Sequence, residues 1–211
     1  MSNDIRPEQI EEVVAFLSEK MNGFREELAE LDSRTGDGDL GVTIALIFRA
    51  MSKSARGLKT ASISESFQEL GEEVADTAPS TFGTLVACML EEFGKEAGNA
   101  EVLNAELYAR GLKAAACGVM KKGKAKPGDK TLLDALCPAA EAAEKALKEQ
   151  DDLAYVARAA YQAARDGAEK TVEMKAMTGR AGYMGERTIG NKDPGAEAIA
   201  KMLGVYAEYL G

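Results

Sequence analysis

The sequence predicts an all-α fold: a single-domain antiparallel bundle or barrel of eight or so helices. Three observations lead there. Apolar residues recur at three- and four-residue spacing along nearly the whole chain. No stretch shows sustained alternation with β-branched enrichment, so no strand is expected. The breaks between periodic segments are short, as they are between antiparallel neighbours in a bundle. The chain has 211 residues, enough for a domain that buries about 70% of its unfolded surface. No linker, repeat or boundary interrupts it, and one domain is expected over 1–211.

Each element has its own signal. Pro7 suits a first helical position, and Ile10, Val13, Val14, Leu17 and Met21 then repeat on one face. A short segment from Phe24 leads to Leu31 and a loop rich in aspartate. Leu40, Ile44, Ile47, Phe48 and Met51 form the next stripe. Ser62 or Ser64 can cap a helix carrying Ile63, Phe67, Leu70 and Val74. After a break at T-A-P-S, Phe82, Leu85, Met89 and Phe93 continue to Gly94–Gly98. Asn104 can cap a helix with Tyr108, Leu112, Ala115, Ala116 and Val119. A basic loop, K-K-G-K-A-K-P-G-D-K, follows from Lys121 to Lys130, and Thr131 opens a helix with Leu133, Leu136, Ala140, Ala143 and Leu147. Asp151 or Asp152 caps an alanine-rich helix running towards Met174. Met177 to Gly195 holds too much glycine to continue it, and the last helix carries Ile199, Met202, Leu203, Tyr206, Tyr209 and Leu210.

Composition removes several function classes. A formal net charge of -9, with mixed signs along the chain, argues against nucleic acid or an anionic membrane as partner. No apolar run has transmembrane length, and the stretch M-S-N-D-I-R-P-E-Q-I lacks the apolar core of a leader, so a cytoplasmic location is expected. Cys88, Cys117 and Cys137 are unclustered and fall in apolar helical patterns, which predicts buried thiols rather than disulfides or a zinc site. The chain contains no histidine, which removes histidine acid/base catalysis, phosphohistidine chemistry and most transition-metal sites.

The stretch L-D-S-R-T-G-D-G-D-L-G, Leu31 to Gly41, sets Asp32, Asp37 and Asp39 close together between glycines. Such carboxylates repel one another unless a cation offsets the charge, and a hard ion such as Mg²⁺ takes oxygen ligands shared with phosphate and water. The same letters also make a good turn, with Asp39 as the cap of the next helix. An EF-hand is excluded, because the twelfth position counted from Asp37 is Phe48. The basic loop reads either as a solvated turn or as a phosphate contact through Lys124 and Lys130. The glycine-rich segment reads either as a connector or as a ligand-covering lid carrying Arg180. If these loops share one end with the T-A-P-S-T-F-G-T turn, three carboxylates face cations and the helix N-termini after Asp39, Pro79 and Thr131. Such a mouth suits a metal-bridged polyphosphate.

Four motifs carry a resemblance: L-D-x-x-x-G-D-x-D-x-G, F-G-T, K-G-K-A-K-P-G-D-K-T, and G-R-A-x-Y-x-G-E-R-x-I-G-x-x-D-P-G. Together they resemble the L subunit of dihydroxyacetone kinases over nearly the whole chain. The resemblance implies an eight-helix antiparallel barrel with ADP or ATP bound at one end through two Mg²⁺ ions. It implies Asp32, Asp37 and Asp39 as magnesium ligands, and nucleotide contacts from Gly41, Gly123, Arg180, Asp193, Pro194 and Gly195. It also implies phosphoryl transfer by positioning and charge neutralisation, with the three aspartates and Arg180 as the catalytic set. A separate K-type subunit would hold the ketone through a histidine, and the donor would be ATP or a phosphotransferase-system subunit that recharges bound ADP. Three positions depart from the pattern: Leu40 and Asn191 stand where the family has histidine, and Ala75-Asp76-Thr77-Ala78-Pro79-Ser80 stands for its glycine-rich turn. The last departure is expected to restrict the backbone and to bring the Asp76 charge towards the phosphates.

Overall fold

A computed structural model describes residues 4–58 and 62–211; Met1 to Asn3, the start of the stretch read against a leader, lie outside it. Among the described residues there are ten α-helices and no strand beyond an isolated antiparallel bridge between Ile5 and Leu103. Eight helices are long: α1 (Ile10–Asn22), α3 (Leu40–Ala55), α4 (Ile63–Thr77), α5 (Thr81–Ala97), α6 (Ala105–Gly123), α7 (Leu133–Glu149), α8 (Leu153–Lys170) and α10 (Pro194–Leu210). Two are short, α2 (Arg25–Ser33) and α9 (Gly179–Gly182). The long helices pack in a closed ring, each against the next in chain order, and α10 returns to pack on α1. The expected eight-helix antiparallel barrel is the observed fold.

The helix starts follow from local chemistry. Ser62, Ser80, Asn104, Asp152 and Asp193 each accept a backbone N–H three residues on, at 3.1, 2.9, 2.9, 2.7 and 2.7 Å. These side chains satisfy donors that the first helical turn leaves unpaired. Asp134, in the first turn of α7, instead ties down the loop before it, accepting from Thr131 N at 2.7 Å and from Gly128 N at 2.5 Å.

The apolar stripes read from the sequence close the interior. Ile10, Val13, Val14 and Met21 of α1, Ile44, Ile47 and Phe48 of α3, and Ile63, Leu70 and Val74 of α4 are all buried. Small residues set the helix spacing elsewhere. The alanines of α7 (135, 139, 140, 143, 146) face those of α8 (154, 157, 160, 164, 168), so the two backbones lie close. A side chain at Gly167 of α8 would collide with the carbonyl of Asp134. Inside the ring, α1, α3 to α6 and α10 enclose an apolar cavity of about 180 Å³.

Two expectations are corrected. Cys88 is buried and Cys137 half-buried, but Cys117 is exposed, because it is the outward position of α6 between buried Ala116 and buried Gly118. Burial raises the Cys88 and Cys137 thiols, the latter to about 11, so both stay protonated at neutral pH. Residues 75–77, set against the family's glycine-rich turn in the sequence, form the last turn of α4; Ala75 and Asp76 are exposed.

Gly41 is the narrowest contact between α3 and α2: an added Cβ would collide with the carbonyl of Arg25 and come within 2.9 Å of the Ala29 Cβ. Overpacking of this kind costs about 1–3 kcal/mol. Gly41→Ala is therefore expected to lower the unfolding free energy by that amount, read by circular dichroism as a lower urea midpoint with an unchanged denaturant slope.

Candidate functional site

The antiparallel ring brings the starts of α3, α5, α7 and α10 to one end, where they surround a cavity of about 400 Å³. Its lining draws on the aspartate loop, the Pro79–Phe82 turn, the Lys130–Leu133 turn, the glycine-rich segment and the start of α10. Four helix N-termini thus turn the positive ends of their dipoles towards one space, an arrangement suited to anions.

The three aspartates meet at its rim. Asp32 comes from the last turn of α2, while Asp37 and Asp39 come from the loop before α3. One oxygen from each lies within 4.8 Å of the others. Charges at that separation repel by about 1 kcal/mol per pair in bulk water and several times more where water is partly excluded. Local geometry forces the approach. The Gly36 N–H donates to the Asp32 carbonyl at 2.6 Å, and a Cβ at Gly36 would overlap the Asp32 carboxylate. Gly38 has φ +78, which glycine adopts without strain.

The alternative role of Asp39 as a cap is not the one observed. Its side chain makes no capping hydrogen bond; Asp32 Oδ2 accepts the Leu40 N–H instead, at 3.2 Å. An all-carboxylate set in a chain without histidine matches a hard divalent cation rather than one that prefers imidazole or thiolate.

Arg180, in the first turn of α9, forms an ion pair with Asp37 across the mouth and lines the cavity. Gly123, Asp193, Pro194 and Gly195 also line it. Asp193 is buried, its side chain caps α10 by accepting the Ala196 N–H, and its own N–H donates to Thr171 Oγ1 at 2.8 Å. Burial pushes its carboxyl up to about 7, against the opposing pull of the Ala196 hydrogen bond.

Other residues fall elsewhere. Gly41 is absent from the lining and instead seats α3 on α2. Lys124 ends α6 in a left-handed conformation, φ 56, away from the cavity. Lys130 lies on the lining, but its ammonium donates to four backbone carbonyls and is not free for phosphate. Ala75 and Asp76 do not reach the cavity, so the Asp76 charge does not face it. Thr131, expected only as the start of a helix, and Ser80, Thr81 and Thr178, given no role by the sequence, also line the mouth. Ser80 could have been read as a cap, but its approach to Thr43, 3.4 Å between the hydroxyl oxygens, could not.

The DAK2 domain family matches residues 34–208. The chain belongs to that family. It is 31% identical over 186 residues to the L-erythrulose 1-kinase of Mycolicibacterium smegmatis, across 87% of this chain and 32% of that one. It is also 31% identical to the ADP-binding subunit of PEP-dependent dihydroxyacetone kinase 1 from Listeria innocua, over 86% of each chain. This DAK2 chain thus spans about a third of the erythrulose kinase and most of the ADP-binding subunit. Among solved structures it is similar to the dihydroxyacetone kinase of C. freundii in complex with AMP-PNP and Mg2+, at 25% identity and TM-score 0.73, over 95% of this chain and 33% of that one.

The state of Asp193 gives a pH signature. Its carboxyl titrates near 7 when folded and near 4 when unfolded, so between those values only the unfolded chain ionises and folding stability falls as pH rises. Asparagine caps a helix about as well as aspartate. Asp193→Asn is expected to overtake the wild type in urea midpoint as pH rises from 4 to 8, with a chelator present throughout. A difference between the two that does not change with pH would contradict the buried, perturbed carboxyl.

Proposed function

We propose that this DAK2 chain is the nucleotide-carrying subunit of a dihydroxyacetone-type kinase, passing a phosphoryl group from a magnesium-bound nucleotide to a ketose held by a separate K-type subunit. The observation that carries the reading is the convergence of Asp32, Asp37 and Asp39 on a cavity ringed by four helix N-termini. Likeness to the Listeria innocua ADP-binding subunit and to the C. freundii kinase that was crystallised with AMP-PNP and Mg2+ supports it.

Asp32, Asp37 and Asp39 would hold the Mg²⁺, expected as two ions. Bound there, the metal would neutralise phosphate charge and fix the reacting oxygens. The remaining work belongs to the chain. N–H groups at the starts of α5, α7 and α10 bind phosphate oxygens, and Gly123, Pro194 and Gly195, on the cavity wall, contact the nucleotide. Arg180 exchanges its Asp37 partner for phosphate oxygen and stabilises charge that grows during transfer. Nothing in this chain can activate the acceptor through a histidine, so that group must come from the partner subunit. The phosphoryl donor is ATP, or a phosphotransferase component that recharges bound ADP. A four-carbon ketose as acceptor is a second reading, favoured by the likeness to the erythrulose kinase.

Asp37→Asn keeps shape and turn propensity but removes one negative ligand. Mg²⁺-dependent ADP binding is expected to fall at least tenfold, about 1.4 kcal/mol, with folding retained, as measured by titration calorimetry. Equal binding by the variant would reduce the aspartates to a turn.

The isolated chain with Mg²⁺ and ATP is expected to show only slow hydrolysis in the presence of dihydroxyacetone. A K-type subunit carrying the acceptor histidine should restore formation of the phosphorylated ketose. Steady turnover by this chain alone, free of other kinases, would overturn the subunit assignment.

A further inference from the structure

Between α8 and α10 the chain makes a long excursion that carries Arg180 over the cavity and returns to its starting point. Its two legs are cross-linked at the neck. The Gly190 N–H donates to the Val172 carbonyl at 2.8 Å, and the Asp193 N–H to Thr171 Oγ1 at 2.8 Å. Further out, the Ala176 N–H donates to Thr188 Oγ1 at 3.0 Å, and the Met177 N–H to the Asp129 carbonyl at 3.0 Å.

Lys130 sits in this neck. It comes from a different part of the chain, the turn before α7, and is only 2% exposed. Its Nζ donates to the carbonyls of Thr171 (2.8 Å) and Met174 (3.0 Å) on one leg, and of Thr188 (2.7 Å) and Asn191 (2.6 Å) on the other. An ammonium has three N–H groups, so at least one is shared among these four oxygens. A cage of convergent backbone carbonyls is also how proteins replace the hydration shell of a monovalent cation. Reaching it places the Lys130 backbone at φ 61, a left-handed conformation that a non-glycine residue holds only where surrounding contacts enforce it.

We infer that Lys130 is a positioning residue: its ammonium acts as a built-in monovalent cation that clamps both legs of the 171–193 excursion and so holds Arg180 over the mouth. Without it, the Met174 and Asn191 carbonyls lose this donor, those of Thr171 and Thr188 keep only the Met174 and Asn191 N–H groups, and the legs part to let water in. The excursion then carries Arg180 away from Asp37 and away from any bound nucleotide. The tether stands on the geometry alone, whereas its consequence for nucleotide rests on the kinase-subunit reading.

Two variants test it. Lys130→Gly accepts the left-handed backbone without strain, and Lys130→Met keeps the length of the side chain without its charge. In both, amide hydrogen exchange at Ala176, Met177 and Gly190 is expected to quicken at least tenfold, while the helices of the ring stay protected. ADP release in the presence of Mg²⁺ should quicken at least tenfold. Mg²⁺ affinity of the nucleotide-free protein should hold or tighten, because the arginine that competes for Asp37 has been loosened. General destabilisation would weaken both affinities together. Unchanged exchange overturns the tether, and quicker exchange with unchanged ADP release overturns the positioning role. If exchange quickens but the wild type binds no Mg-ADP, the tether stands and the nucleotide reading fails. Should neither variant fold, the wild type decides. A caged ammonium gives a slowly exchanging lysine ¹⁵N–H₃ resonance at neutral pH, and absence of any such resonance overturns the proposal.

Discussion

Three carboxylates held within 4.8 Å of one another are the constraint to which the mouth of this protein is fitted. Alone they repel, and the fold answers the repulsion in several ways. Asp32 accepts the Leu40 N–H, the dipole of α3 begins beside Asp39, and Arg180 reaches across to Asp37. None of these groups removes the charge altogether. Water reaches Asp37 and Asp39, and the oxygens remain directed at a common point, which is the condition a hard divalent cation requires.

Closure of the helical ring gives that cluster its surroundings. Because neighbours run antiparallel, the starts of α3, α5, α7 and α10 arrive at the same end, and each start brings a turn of its own. Side chains make those turns specific: Ser80 and Asp193 cap α5 and α10, and Asp134 ties the turn before α7 through the Thr131 N–H. The caps serve the fold, and they also keep the first-turn N–H groups oriented towards the cavity. At Asp193 burial lifts the carboxyl to about 7, so one residue couples helix start, cavity wall and proton uptake.

Positive charge at this end is divided between two tasks. Arg180, more than half exposed, is free to exchange partners. Lys130, almost wholly enclosed, holds the two legs of the segment that carries Arg180. Burial lowers the Lys130 ammonium from its ordinary range, with the Asp193 charge acting in the opposite direction. A side chain so enclosed and so fully bonded suits holding the backbone rather than meeting a ligand.

The sequence by itself determined the helical class, the periods of the eight long helices and the Asn104 cap, and narrowed two further caps to Ser62 or Ser64 and Asp151 or Asp152, because these depend on residues within four positions of one another. It also marked Asp32, Asp37 and Asp39 together, since a few residues and two glycines carry the whole cluster. It left open whether Asp39 caps α3, which rests on the orientation of one side chain. Only the tertiary structure decided the parts that depend on distant segments. It turned Lys130 from a phosphate contact into a clamp, because its four carbonyl partners lie 41 to 61 residues further along the chain. It placed Asp76 outside the cavity, because α4 runs on through residue 77. It gave Gly41 to the α2–α3 contact, because the space a side chain there would need is filled by Arg25 and Ala29. Local periodicity is blind to all three, since each is set by which backbone arrives from elsewhere.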